Sequence, residues 1–165
     1  MCNKMKIRRE FQMKKLIALV LAAMMAVAVF AGCGGSKSAD LNGTLDKINS
    51  SYSLQLKKLE SKDDLQKYYS IKPESVKQFA AEIDSNNNAP VEIIMIEATD
   101  ANAATEIETA LAARYNSIIS QYGSYTPDKL DMVKACSVTK DGNYVSLIVA
   151  ENGPEMVKIY KEAIK

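Results

Sequence analysis

Seventeen consecutive residues without a charge, from Leu16 to Gly32, constrain this chain more than any other feature in it. Lys14-Lys15 stand before the run, and Cys33 closes it. A positive start, an apolar stretch and small residues before a break make a secretory signal. A run of this length also sits at the lower edge of what spans a bilayer, so an uncleaved signal anchor is the competing reading. The residues that follow favour cleavage. Gly34-Gly35-Ser36-Lys37-Ser38-Ala39 are small and flexible and suit a tether, whereas a helix running on into a domain is not punctuated this way. The chain is therefore read as a signal peptide over 1–32, a tether over 33–39 and a single domain over 40–165. Met13-Lys14-Lys15-Leu16 is itself an ordinary signal-peptide beginning, so Met13 is the expected translation start.

The break itself, Phe30-Ala31-Gly32-Cys33, resembles the lipobox of bacterial lipoproteins, with Phe30 standing where that pattern usually has Leu. The resemblance implies cleavage between Gly32 and Cys33 and a diacylglyceryl group, built from palmitate-type chains, on the Cys33 thiol. The protein would then be held on the extracytoplasmic face of the cell membrane by that lipid alone. Six residues after the cysteine reach about 20 Å at full extension, so the domain stays close to the bilayer.

Charge and cysteine usage agree with that placement. Residues 1–32 hold six of the 21 Lys and Arg and one of the 20 acids, which leaves 15 basic and 19 acidic residues beyond them, a net charge of about −4. A mildly acidic domain lacks the basic patch that nucleic acid requires, and no polybasic segment is present to hold anionic lipid. Cys2 falls in the segment read as removed and Cys33 is taken by lipid, so Cys136 is left alone and no internal disulfide is expected. A domain of about 125 residues is large enough to be held by its core. Cys136 lies in what reads as an apolar strand, where a small buried hydrophobe is the plain expectation. A reactive thiol would want a basic neighbour, and the chain has no His.

Along the domain, Leu41, Leu45, Ile48 and Tyr52 recur at helical spacing with Asp40 as a cap. A short helix begins at Ser61, with Asp64 three residues on, and Pro73 ends it. Residues 76–83 fit either a helix or a strand. Val91-Glu92-Ile93-Ile94-Met95-Ile96 is a buried strand. Thr99 or Asp100 caps a long helix with the stripe Ala104, Ile107, Leu111, Tyr115, Ile118 and Tyr122, and Gly123 is the expected stop. Tyr125-Thr126-Pro127-Asp128 reads as a loop. Met132–Thr139 and Asn143–Ala150 read as strands joined at Lys140-Asp141-Gly142-Asn143, with Asp-Gly as the hairpin signal. A last helix starts at Gly153-Pro154, with Met156, Ile159, Tyr160 and Ala163 inward. This order predicts an α+β fold, an antiparallel sheet of about four strands covered by helices.

The stretch 68–150 resembles a family of small lipoproteins of Gram-positive anaerobes, chiefly clostridia, that carry domain of unknown function 4358. The residues that carry the likeness are Tyr69-Ser70-Ile71, the strand Val91–Ile96, a helix ending near Arg114, Tyr125-Thr126-Pro127, and Gly142-Asn143-Tyr144-Val145. The resemblance implies an extended conformation over 76–83 and supplies a compartment but no mechanism.

Chemistry is sparsely marked. Without His, triads built on it are excluded, as are zinc sites that contain it. The seven Gly form no phosphate loop, so no cofactor is expected beyond the lipid on Cys33. Asp63-Asp64 and Asp128 with Asp131 read as solvated or capping acids. Asp84-Ser85-Asn86-Asn87-Asn88 has oxygen ligands but lacks the Gly and Glu of a calcium loop, so it reads as a turn. Arg114 is the only Arg after Arg9. No acid lies three or four residues from it, so its partner is expected elsewhere, at Asp128 or Asp131, or in water. Eight Tyr and no Trp suggest surfaces with one apolar and one wet side. Tyr122, Tyr125, Tyr144 and Arg114 are the candidate ligand or interaction patch. The leading functional expectation is a non-enzymatic, lipid-anchored binding or interaction module with an envelope partner. The alternatives are an envelope enzyme using carboxylate or Tyr residues, and a single-domain ligand-binding lipoprotein serving a transporter.

Overall fold

A computed structural model of the protein describes residues 38–85 and 89–165. Gly32, Cys33 and Met13, and with them the lipid-attachment, cleavage and start-site expectations, lie outside the described residues, as do Asn86–Asn88 of the expected turn. The fold is α+β. Helix α1 (Leu41–Tyr52) leads to strand β1 (Lys57–Lys58), helix α2 (Lys62–Tyr69) and strands β2 (Val76–Ile83) and β3 (Glu92–Ala98). Helix α3 (Ala101–Tyr125), a short helix α4 (Leu130–Lys134), strands β4 (Val138–Asp141) and β5 (Tyr144–Val149) and helix α5 (Gly153–Ala163) complete it. The five strands run in the order β1-β2-β3-β5-β4, every neighbour antiparallel.

The helix starts follow from capping chemistry. The Asp40 side chain accepts from the Gly43 amide, and Ser61 and Asp64 form a reciprocal capping box. Asp100 accepts from the amides of Asn102 and Ala103 at 2.8 and 2.9 Å, which settles the Thr99-or-Asp100 choice. Residues 76–83 are a strand, paired with β3 from Val76↔Ala98 to Ile83↔Glu92.

Every residue of β3 is buried, because helices cover both faces of the sheet. Side chains alternate across it. Ile94 and Ile96 pack with Leu65, Ile107, Leu111 and Ile118 on the α2–α3–α4 side. Ile93 and Met95 pack with Leu41, Leu45, Met156 and Tyr160 on the α1–α5 side. Each fully buried Leu or Ile contributes about 1.5–3 kcal/mol of transfer free energy.

Several expectations need correction. The sheet has five strands, not four. The addition, β1, is two exposed residues paired to Ile83 and Glu82 at an edge. Met132–Lys134 is helical rather than extended. The chain leaves α3 through a 3₁₀ turn at Pro127–Lys129 and continues as helix, with Val133 alone turned fully inward. Cys136 therefore lies before β4 rather than in a strand, and it is buried. Gly123 does not stop α3, which runs on to Tyr125, past both Gly123 and Arg114. Glycine only weakens a helix, whereas Pro127 drives the residue before it out of helical geometry, and Thr126 is non-helical at φ −146°, ψ 66°. The hairpin turn is Gly142-Asn143, with Asp141 the last strand residue. Gly142 sits at φ 54°, the positive value a two-residue hairpin asks of its first loop position. On α5, Ala163 is exposed, and Val157 and Ile164 pack at the core edge instead.

Two residues from the end of the stretch read as a tether are fixed on the sheet. Ser38 donates to the Glu97 carboxylate, and the Gln78 amide donates to the Ala39 carbonyl at 2.7 Å. The Ala39 amide in turn donates to the Tyr144 hydroxyl at 2.9 Å. Lys77 closes the cluster on Glu97 at 2.6 Å. Burial alone would raise the Glu97 carboxyl, but the hydrogen bonds from Lys77, Ser38 and Gln78 outweigh it and hold the group below its ordinary range. A depressed folded value means that the stability Glu97 adds is present above its unfolded value, about 4.3, and is lost as pH falls through the folded one. Urea midpoints are accordingly expected to be higher for the native chain than for Glu97→Gln at pH 6, with the gap narrowing as the pH falls toward 3. A gap that persists unchanged at pH 3 contradicts the ionised cluster.

Candidate functional site

The acid at the other end of β3 organises a cavity of about 240 Å³. Glu92 opens the strand, and its side chain is only 4% exposed. A buried carboxylate demands charge and hydrogen-bond partners, because stripping it of water is costly. Two elements supply them. From the last turn of α2, the Tyr69 hydroxyl donates to Glu92 Oε2 at 2.7 Å. From α3, Arg114 Nε donates to Oε1 and Oε2 at 3.0 and 3.3 Å. Arg114 reaches it because it lies three residues after Leu111 and four before Ile118, on the flank of the buried stripe. Its side chain remains 42% exposed. Its two terminal amino groups make no hydrogen bond among the described residues.

The remaining walls come from Tyr68, from Ile83 and Asp84 at the end of β2, from Ala89 to Val91, and from Ile118, Gln121 and Tyr122 on α3. Asp84 Oδ2 accepts from the Ala89 amide at 2.9 Å. Burial, reinforced by the Glu92 charge and hydrogen bond, pushes the Tyr69 hydroxyl far above its ordinary value. It is thus a fixed donor to the carboxylate at any physiological pH. Burial and then the Asp84 charge raise the Tyr122 hydroxyl as well. The arrangement presents a guanidinium whose terminal amino groups have no partner among the described residues, with carboxylates and hydroxyls around it, and such a set can hold a small polar molecule. Among the described residues, no cluster of three or more His, Cys, Asp or Glu is placed to hold a metal ion.

The structure joins two of the four candidate patch residues, Arg114 and Tyr122. Tyr125 ends α3 at 84% exposure and does not line the cavity, and Tyr144 sits on the opposite face of the sheet, against the α1–α5 layer. Neither Asp128 nor Asp131 partners Arg114. Both are exposed and solvated, while buried Glu92 has the stronger need for a cation. Glu92, Tyr69, Tyr68 and Asp84 were missed as site residues. The available signal was an acid inside an otherwise apolar strand together with the only Arg after Arg9.

Residues 49–150 match the family model described as a domain of unknown function (DUF4358), a span well over half the chain that begins before the 68–150 likeness. No curated protein and no solved structure matches the chain.

Proposed function

The chain belongs to the DUF4358 family, and from that footing we propose that it is a lipid-anchored binding module on the extracytoplasmic face of the cell membrane of a Gram-positive, clostridial-type bacterium. It acts by holding a small polar ligand rather than by catalysis, and hands it to an envelope partner. The observation that carries the binding role is Arg114, held through Nε on buried Glu92 while it lines the cavity with a side chain still 42% exposed. The anchor is supported by Lys14-Lys15, the uncharged run to Gly32, and Cys33 after it. Among the described residues no helix is long and apolar enough to cross a membrane.

The test follows both halves. Cells expressing the chain and its Cys33→Ser variant are fed radioactive palmitate and fractionated. The native protein is expected to be labelled and membrane-bound, the variant unlabelled and unprocessed. Equal labelling of both disproves the anchor. A thermal-shift screen against small polar metabolites is expected to give a stabilising ligand whose effect disappears when Arg114 is replaced.

A further inference from the structure

Gln78, Glu97 and Tyr144 stand directly opposite one another on three neighbouring strands, Gln78↔Glu97 across β2 and β3 and Glu97↔Tyr144 across β3 and β5. Opposite residues share a face of the sheet, so the three side chains form one row on the α1–α5 side. At Ala39 this row grips backbone. Tyr144 accepts from the Ala39 amide at 2.9 Å, Gln78 donates to the Ala39 carbonyl at 2.7 Å, and Glu97 accepts from the Ser38 hydroxyl. Both backbone polar groups of Ala39 are thereby taken, Ala39 is only 8% exposed, and Leu41 beyond it is fully buried. Among the described residues no backbone–backbone hydrogen bond ties Ser38 or Ala39 to the sheet. Side chains alone hold the segment, so it can detach while the strands stay paired.

A protease holds its substrate extended and bonds to the backbone on both sides of the peptide it cuts. Lys37 is the only Lys or Arg between Lys15 and Lys47, and Gly34, Gly35 and Ser36 before it give a protease pocket little to hold. A cut after Lys37 needs the next two residues, Ser38 and Ala39, and the row already occupies them. We propose that Gln78, Glu97 and Tyr144 form a clasp that withholds the Lys37–Ser38 bond from proteases reading a basic side chain, so that the domain is cut free of everything upstream only while Ser38 and Ala39 are detached. The cut adds water across that amide and leaves a carboxylate on Lys37 and an amino terminus on Ser38. Release from a membrane by this cut rests on the anchor at Cys33, whereas the protection does not.

The full-length protein in detergent is digested with trypsin under native conditions, and the fragment beginning at Ser38 is followed by mass spectrometry. It is expected to form at least tenfold more slowly than from a free peptide of residues 33–42, because cleavage tracks the detached fraction. Tyr144→Phe removes one hydroxyl and keeps the ring, and is expected to speed the cut at least threefold. Adding Gln78→Met is expected to bring the gain to at least tenfold. Cuts inside the domain, such as after Lys47, are expected to keep their native rate in both variants, which separates opening of the clasp from unfolding. A native rate equal to that of the peptide, or variants that match the native chain, overturns the clasp. So does an acceleration of the Lys37 and Lys47 cuts in equal proportion. Failure of the palmitate labelling would remove the anchor and leave the protection standing.

Discussion

Arg114→Ala is expected to lower the unfolding free energy of the domain by about 3 kcal/mol, read as a reduced urea midpoint at unchanged slope. The cost arises at the residue left behind. Glu92 is 4% exposed and would keep only the Tyr69 hydroxyl of its three polar contacts. Breaking a fully buried pair by removing one member costs about 3–5 kcal/mol, and the 42% exposure of Arg114, which lets water reach the site, argues for the lower end. The second change discriminates. Glu92→Gln in the Arg114→Ala background removes the orphaned charge while its carbonyl still accepts from Tyr69, so most of the loss is expected to return. An Arg114→Ala variant within 0.5 kcal/mol of the native chain would mean that Glu92 is solvated after all.

Gly153→Ala is expected to cost about 2 kcal/mol, although alanine is the better helix former. Gly153 begins α5, and a Cβ there would lie 2.7 Å from the Cys136 sulfur and 3.1 Å from the Ile148 carbonyl oxygen. Neither neighbour gives way easily. The thiol is buried and lies 3.4 Å from the Met132 carbonyl and 3.6 Å from that of Ala150, and Ile148 is held in β5. Cys136→Ala in the same chain removes the closer obstacle, so the double variant is expected to be more stable than Gly153→Ala alone. A single variant as stable as the native protein or more so contradicts the close approach. Burial also pushes the Cys136 thiol up, so alkylation is expected only after unfolding.

What could be read from the residues and what could not divide along a physical line. Local chemistry was legible: the caps at Asp40, Ser61 and Asp100 satisfy amides two or three residues away, and Gly142 answers a turn that spans four residues. Residues 76–83 carry helical and alternating patterns together, and only pairing with β3 decides between them. β1 left no trace, because two exposed lysines become a strand solely through the edge they find. Met132–Lys134 looked extended since three residues are too few to show a period, and the direction was set by the turn before them. The pocket depends on a contact between residues 22 apart, from strand to helix, which no spacing rule reports. Scarcity was the clue: a lone arginine and an acid in an apolar strand need each other.

The clasp on Ser38 and Ala39 has a mechanical corollary. Glu97 and Glu92 stand five residues apart on β3, about 16 Å along the strand, and project from opposite faces. Any drag arriving from upstream is thus delivered at the corner diagonal to the cavity, where Gln78, Glu97 and Tyr144 bear it, and it does not pry at Arg114 or Tyr69.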